Sequence, residues 1–380
     1  MKKTVCLALL LIVLVGCGRQ GKSVEKVMEE GVEVVVNGTE PYELPGLRSP
    51  YDLEEEWVID LEVEDVSQAG LYQISTFAVD AYGNTYILSS RSDENHIFKF
   101  TPEGTFERSF GQHGQGPGEL GRPTEVVLTP ERELLVVDPD NAKLVYLDRD
   151  GQLLREVMLD RNIPFVLPLS NQNFVVFGRL RPDVEEKYLK YPLELCDENF
   201  EPLKTLDEYR MENFRVTGRL RGILPGFGGA AGGGMIFVGN EIRGYEIWAY
   251  DQKGGLVRKI RKKHRSLPVS DQIRERALAR YNDNVKSMVF FPEALPPFLT
   301  LAADEEGSLY VVTFGEGDNP GENMIDVFNP DGAYVGRLSA AVFVSPDTPI
   351  DAVAREGRFY YVREKDTGYK QLMAEKILTR

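Results

Sequence analysis

The sequence predicts an all-β chain: a closed ring of six four-stranded antiparallel blades, with one amphipathic helix inserted at about 270–288. Three observations carry this. Short apolar runs rich in Val, Leu, Ile and Tyr, bounded by Pro, Asp, Asn or Gly, recur along most of the 380 residues. The best-preserved group is Val126–Leu128, Leu134–Val137 and Leu144–Leu147, with an outer run at Leu153–Leu159. From Gly104 to Gly151 the turn glycines give a period of about 47 residues, the length of one propeller blade. Finally, the last repeat runs out after three strands, while Trp57–Val66 precedes the first repeat without a partner. Placed as the outer strand of the last blade, it closes the ring and leaves no open edge.

The repeats follow in order. The first has Phe77–Asp80, Tyr86–Leu88, Ile97–Phe100 and Phe106–Phe110. The second is the group just described. A looser third has Phe174–Phe177, Leu193–Leu195 and Leu203–Leu206, interrupted by a charged stretch from Arg179 to Lys190. The fourth has Met235–Val238, Tyr245–Tyr250 and Leu256–Ile260. The fifth has Phe298–Ala303, Leu309–Val312, Ile325–Phe328 and Tyr334–Leu338. The sixth has Ile350–Ala354, Phe359–Val362 and Leu372–Leu378. Between the fourth and fifth, Ile273, Ala277, Tyr281 and Val285 recur every four residues behind Ser270, an N-cap residue type, which predicts the helix.

The N-terminus reads as an address. Lys2 and Lys3 precede an apolar run from Val5 to Val15, shorter than the ~20 residues of a spanning helix. Residues 1–16 are therefore expected to be a signal peptide, 17–50 a tether and lead-in with one early strand at Val32–Val36, and 51–380 the propeller. The formal charge of −16 grows more negative when the two lysines leave, which disfavours nucleic acid as a partner. Cys6 leaves with the signal. With Cys17 at the cleavage point, Cys196 has no partner for an intrachain disulfide.

Two resemblances refine this reading. Leu14-Val15-Gly16-Cys17 resembles the lipobox of bacterial lipoproteins, which implies lipid on Cys17 and membrane attachment through the N-terminus. Gly18 after that cysteine points to the outer membrane of the cell envelope. The loop Gly111–Leu120, with Pro123, Val137-Asp138, Asn141 and Asp148–Gly151, resembles the NHL repeat. Together they make the chain similar to bacterial six-bladed β-propeller lipoproteins, a family resemblance that implies a fold and a mode of binding and assigns no reaction.

Residues that could carry chemistry are few. Some NHL-type lyases place zinc on histidines from several blades, but His96, His113 and His264 occupy non-equivalent positions. A calcium site of the lactonase type would draw on Asp80, Asp138, Asp304 and Asp351, near the inner strands; turn formation explains most of these aspartates. Ca²⁺ is the only cofactor the sequence suggests. The cluster Gly226–Gly234 lacks the Lys-Ser/Thr and the helix of a phosphate loop, and reads instead as an innermost strand in close backbone contact. No nucleophile elbow or Cys–His pair stands out. Arg179, Arg181, Lys187 and Tyr188, with Lys190 and Tyr191 beside them, form a basic-aromatic patch on an acidic protein, and Arg219 and Arg221 are candidates for the same face. The expected role is a non-catalytic, lipid-anchored propeller binding a protein, peptide or glycan. The alternative is a metal-dependent lyase or lactonase working in the central channel.

Overall fold

The structure is a computed structural model describing residues 24–42, 49–159, 163, 165–178, 186–343 and 352–379. Cys17, Arg179, Arg181 and Asp351 lie outside the described residues, as does the signal segment. The chain is an all-β six-bladed propeller of four-stranded antiparallel blades. From the axis outward, blade 1 has strands Thr76–Val79, Thr85–Leu88, Asn95–Phe100 and Phe106–Gln112. Blade 2 has Glu125–Leu128, Leu134–Asp138, Lys143–Leu147 and Leu153–Met158. Blade 3 has Phe165–Pro168, Phe174–Phe177, Tyr188–Cys196 and Pro202–Glu212. Its innermost strand is the one the sequence did not announce, being short and ending on proline.

Blade 4 has Phe227–Gly232, Met235–Asn240, Glu246–Asp251 and Leu256–Lys262. Blade 5 has Thr300–Ala303, Leu309–Glu316, Asn323–Phe328 and Tyr334–Ala340. Blade 6 has Ala352–Arg355, Arg358–Glu364 and Lys370–Thr379, and takes its outer strand, Tyr51–Asp60, from the N-terminal part of the chain. Leu372 pairs with Ile59 and Thr379 with Tyr51, so the expected ring closure is present. Its strand starts earlier than the sequence suggested. The chain turns after Asp60, and Glu64–Gln68 is a short helix rather than the end of that strand.

Packing explains why six copies hold together. Apolar side chains form six buried clusters among the described residues, one at each blade–blade interface. Between blades 6 and 1, Ile59, Phe77, Phe98, Phe100 and Tyr360 meet; between blades 5 and 6, Tyr310, Ile325, Phe359 and Met373 do. Each sheet thus buries both faces against its neighbours, which suits runs of consecutive apolar residues such as Leu134–Val137. Cys196 is buried between blades 2 and 3.

Two expectations need correction. Residues 18–30, read as a tether, contain the strand Glu25–Glu29, which forms a hairpin with Val32–Asn37. The second arm adds in parallel to Leu256–Lys262, extending blade 4 to six strands. The consecutive residues Val34 and Val35 are fully buried there, while Glu29 and Glu33 bind Arg261 and Arg258. The charges that suggested a solvated segment are the outer face of an added edge. Downstream, the Asn37 amide donates to the Gly332 carbonyl, the Tyr42 N–H donates to the Tyr334 carbonyl and Ser49 bonds Arg337. Residues on both sides of the undescribed stretch 43–48 therefore fasten to blade 5, and the N-terminal segment straps blades 4, 5 and 6 along the rim.

The inserted helix is also two pieces, Asp271–Leu278 and Asp283–Lys286. Ser270 caps the first, accepting from the Ile273 N–H, and Asn282 caps the second, accepting from the Val285 N–H. Asn282 is a strong cap residue, so it restarts the helix where an uninterrupted apolar stripe predicted continuity. Among the described residues no helix is long and apolar enough to cross a membrane.

Candidate functional site

The six innermost strands run in the same direction around the axis, each touching the next, and enclose a channel. Its cavity measures about 1930 Å³. At the end where these strands finish, Arg355 donates to the Val79 carbonyl at 3.0 Å and lies 3.2 Å from Glu305, tying blades 6, 1 and 5 together. With the strands of each blade lettered a to d from the axis outward, the rim at the end where the innermost strands begin is built, among the described residues, from b–c loops, blade connectors and the inserted helix, which contributes Gln272, Ile273 and Arg276.

The glycine cluster supplies one wall of this channel, as the innermost strand of blade 4. A β-carbon on Gly232 would sit 2.1 Å from the Asp304 carbonyl oxygen and one on Gly229 3.1 Å from that of Phe237, so these glycines permit close backbone approach. Gly228 differs. An added β-carbon there meets nothing within 4 Å, so this glycine leaves the channel wide.

Two of the aspartates named from sequence, Asp80 and Asp304, are bound to their own turns. Asp80 accepts from the N–H groups of Tyr82 and Asn84, and Asp304 from those of Glu306 and Ser308. Tyr86 and Tyr310 donate phenolic hydroxyls to these same two carboxylates; burial, then the neighbouring carboxylate, pushes both phenols well above their usual range. Asp138, fully buried, accepts from the N–H groups of Gly121 and Arg122 and from Asn141. Among the described residues no three His, Cys, Asp or Glu side chains gather as a metal-binding group.

Gly111–Leu120 connects the outer strand of blade 1 to the inner strand of blade 2. Its Gly118 N–H donates to Glu156, and Lys143 reaches both Glu156, at 2.6 Å, and the Gly116 carbonyl. Burial pulls the Glu156 carboxyl upward, but these donors outweigh it and hold it below the usual carboxylate range. His113, on this loop, faces buried His96, with Nδ1 3.3 Å from Nε2. His96 Nδ1 lies 2.8 Å from the Ser89 carbonyl, so it donates there and leaves Nε2 to accept from His113. Sequence spacing gave no sign of this pair, because strand register brings the two rings together. His264 lies apart, against Tyr245.

The basic-aromatic patch separates into two groups. Lys187 sits over the exposed ring of Tyr188 at the open end of blade 3's outer strand pair, away from its turn. Tyr188 pairs in register with Glu212, which accepts from Arg219 at 3.2 Å, so Arg219 joins this group. Arg221 does not. It forms a bidentate pair with Glu241 at 2.7 and 3.0 Å and also donates to the Tyr209 hydroxyl and the Ile223 carbonyl. Its fork is committed to fastening the connector ahead of blade 4.

Residues 58–220 match the model of the DUF5128 family, described as a 6-bladed beta-propeller. A protein of Bacteroides fragilis, described as exported, superposes with a TM-score of 0.51 at 13% identity, over 90% of this chain and 99% of its own. A DUF4221 family member from Bacteroides vulgatus gives 0.50 at 12% identity, over 87% and 99%. These similarities concern the fold. Among curated proteins nothing matches the sequence.

Proposed function

We propose that this chain is a propeller of the bacterial cell envelope that binds a protein, peptide or glycan at the channel mouth without transforming it. The observation that carries the reading is the channel itself: a cavity of about 1930 Å³ with apolar walls and a rim of exposed charged side chains. Asp80 and Asp304 are occupied by the amides of their turns and Asp138 by the amides of Gly121 and Arg122, so these three carboxylates are committed to the fold. That commitment weighs against the lyase or lactonase alternative in so far as it draws calcium ligands from Asp80, Asp138 and Asp304. The description of the Bacteroides fragilis neighbour as exported supports the location. Attachment through lipid on Cys17 and the NHL-like character of the repeats belong to the same reading.

Photocrosslinking in the native bacterium tests it. A photoreactive residue at position 276, on the mouth, should give an adduct, and one at Arg132, in the a–b turn of blade 2 at the opposite end, should not. Adducts from position 132 alone, no adduct from either, or turnover of a metabolite by the purified chain would overturn the reading.

A further inference from the structure

The charges around the mouth are sorted by blade. Arg91, in the b–c loop of blade 1, and Arg122, in the connector entering blade 2, line the cavity. Both are exposed, and neither guanidinium has a hydrogen-bond or salt-bridge partner among the described residues. Blades 5 and 6 present Glu316, Glu364 and Asp366 at the same rim, and these carboxylates are likewise unpartnered. Blade 5 faces blade 2 across a six-membered ring. The cations of the acidic arc are held elsewhere: Lys365 by Asp60 and Glu62, and Lys370 by the Ile74 carbonyl. The basic arc also holds two acids, exposed Asp140 and buried Glu125, the latter accepting from the Thr76 hydroxyl. Arg276 adds a third guanidinium without a partner among the described residues, from the inserted helix.

On a protein of net charge −16, arginines left without carboxylate partners at a cavity rim are available to a ligand. A neutral glycan could hydrogen-bond to either arc but would leave the opposite charges of the two uncompensated. A polyanion would meet the acids of blades 5 and 6. A ligand with opposite charges at its two ends uses both, and the cavity exceeds the ~300–1,000 Å³ of common small-molecule sites, so the ligand has length.

We propose that the channel takes a short peptide with free termini, its carboxylate toward Arg91 and Arg122 and its ammonium toward Glu316, Glu364 and Asp366. The peptide backbone runs past Gly228, where the wall has no side chain. The proposal rests on the binding role proposed above and assigns its ligand class.

Equilibrium dialysis of the full chain in detergent tests it, using a random pentapeptide mixture, the same mixture acetylated and amidated at its ends, and a mixture of neutral oligosaccharides. Retention is read by mass spectrometry. Free-ended peptides should be retained at least tenfold better than capped ones, the scale of one hydrogen bond to a charged group. Arg122→Glu should cost a similar factor, and Gly228→Leu should abolish retention. Both sites are open, so unchanged melting temperatures will show that the variants fold. Equal retention of capped peptides, or no retention of free-ended ones, overturns the proposal. If oligosaccharides are retained instead and Gly228→Leu abolishes that, the channel-binding role stands and only the ligand class falls. If nothing retained depends on Gly228, both fall.

Discussion

Removing the Asp326 carboxylate tests how the interface of blades 4 and 5 is held. Asp326 is 1% exposed and accepts from Lys262 Nζ at 2.9 and 3.0 Å and from the Tyr245 hydroxyl. Lys262 is buried as well, its ammonium 4.4 Å from the centre of the Tyr334 ring. Burial, then the Asp326 charge, pushes the Tyr245 phenol far above its usual range, so it stays a donor. Asp326→Ala leaves an ammonium and a hydroxyl buried without their acceptor. Breaking such a pair from one side costs about 3–5 kcal/mol. With an unfolding entropy of ~2 cal/mol/K per residue, that is roughly 4–7 °C if the ring unfolds as one unit. Lys262→Met in the same background removes the stranded charge and should recover much of the loss. Urea unfolding of both single variants and the double variant gives the coupling directly, expected at about 1.5 kcal/mol or more. Additive losses would refute the reasoning, because the two groups would then not depend on each other.

Other perturbations follow from the same geometry. Burial, with some help from the adjacent His113, holds His96 below the usual imidazole range against the opposing pull of the Ser89 carbonyl and Asp138. The unfolded chain therefore takes up this proton first as pH falls below ~6.5. The associated stability is present at neutral pH and is lost from about 6.5 downward toward the depressed folded value. His264 is lowered too, chiefly by burial, so the slope of melting temperature against pH should shrink in His96→Gln without vanishing. Gly232→Ala should destabilise by several kcal/mol, since its β-carbon would lie 2.1 Å from a backbone oxygen; chemical denaturation reads this. Arg221→Ala should lower the melting temperature while leaving channel binding intact, because its partners are Glu241 and Tyr209. Cys17→Ser should move the protein from the membrane to the soluble fraction and abolish labelling by a fatty-acid analogue.

Much of the ring is legible in the sequence because its middle strands are buried on both faces. Leu134–Val137 and Leu144–Leu147 must be apolar whatever the function, and their turns need Gly and Asp. The innermost strands obey a different rule. Near the axis they need little side-chain bulk, so Phe165–Pro168 carries proline and Phe227–Gly232 is mostly glycine and alanine, residues that weaken strand signals. Glu25–Glu29 was hidden for the opposite reason, as a polar edge whose charges pair with blade 4. The site was harder still. Arg91 and Glu364 share a rim because the ring closes, and no local pattern records that proximity. Arg221 looked like a surface cation because Glu241, twenty residues on, gives no hint of pairing with it.

The rim strap bears on how the molecule is made. Residues 25–37 need Leu256–Lys262, and Tyr51–Asp60 needs Lys370–Thr379, so each segment waits for partners synthesised hundreds of residues later. Loop closure over such separations makes folding slow, whereas blades 1 and 2 can form from local hairpins. Until Lys370–Thr379 is made, Tyr51–Asp60 has no strand to pair with and the edge of blade 6 stands open to other chains. A nascent chain is thereby kept incompletely folded until Lys370–Thr379 has been made.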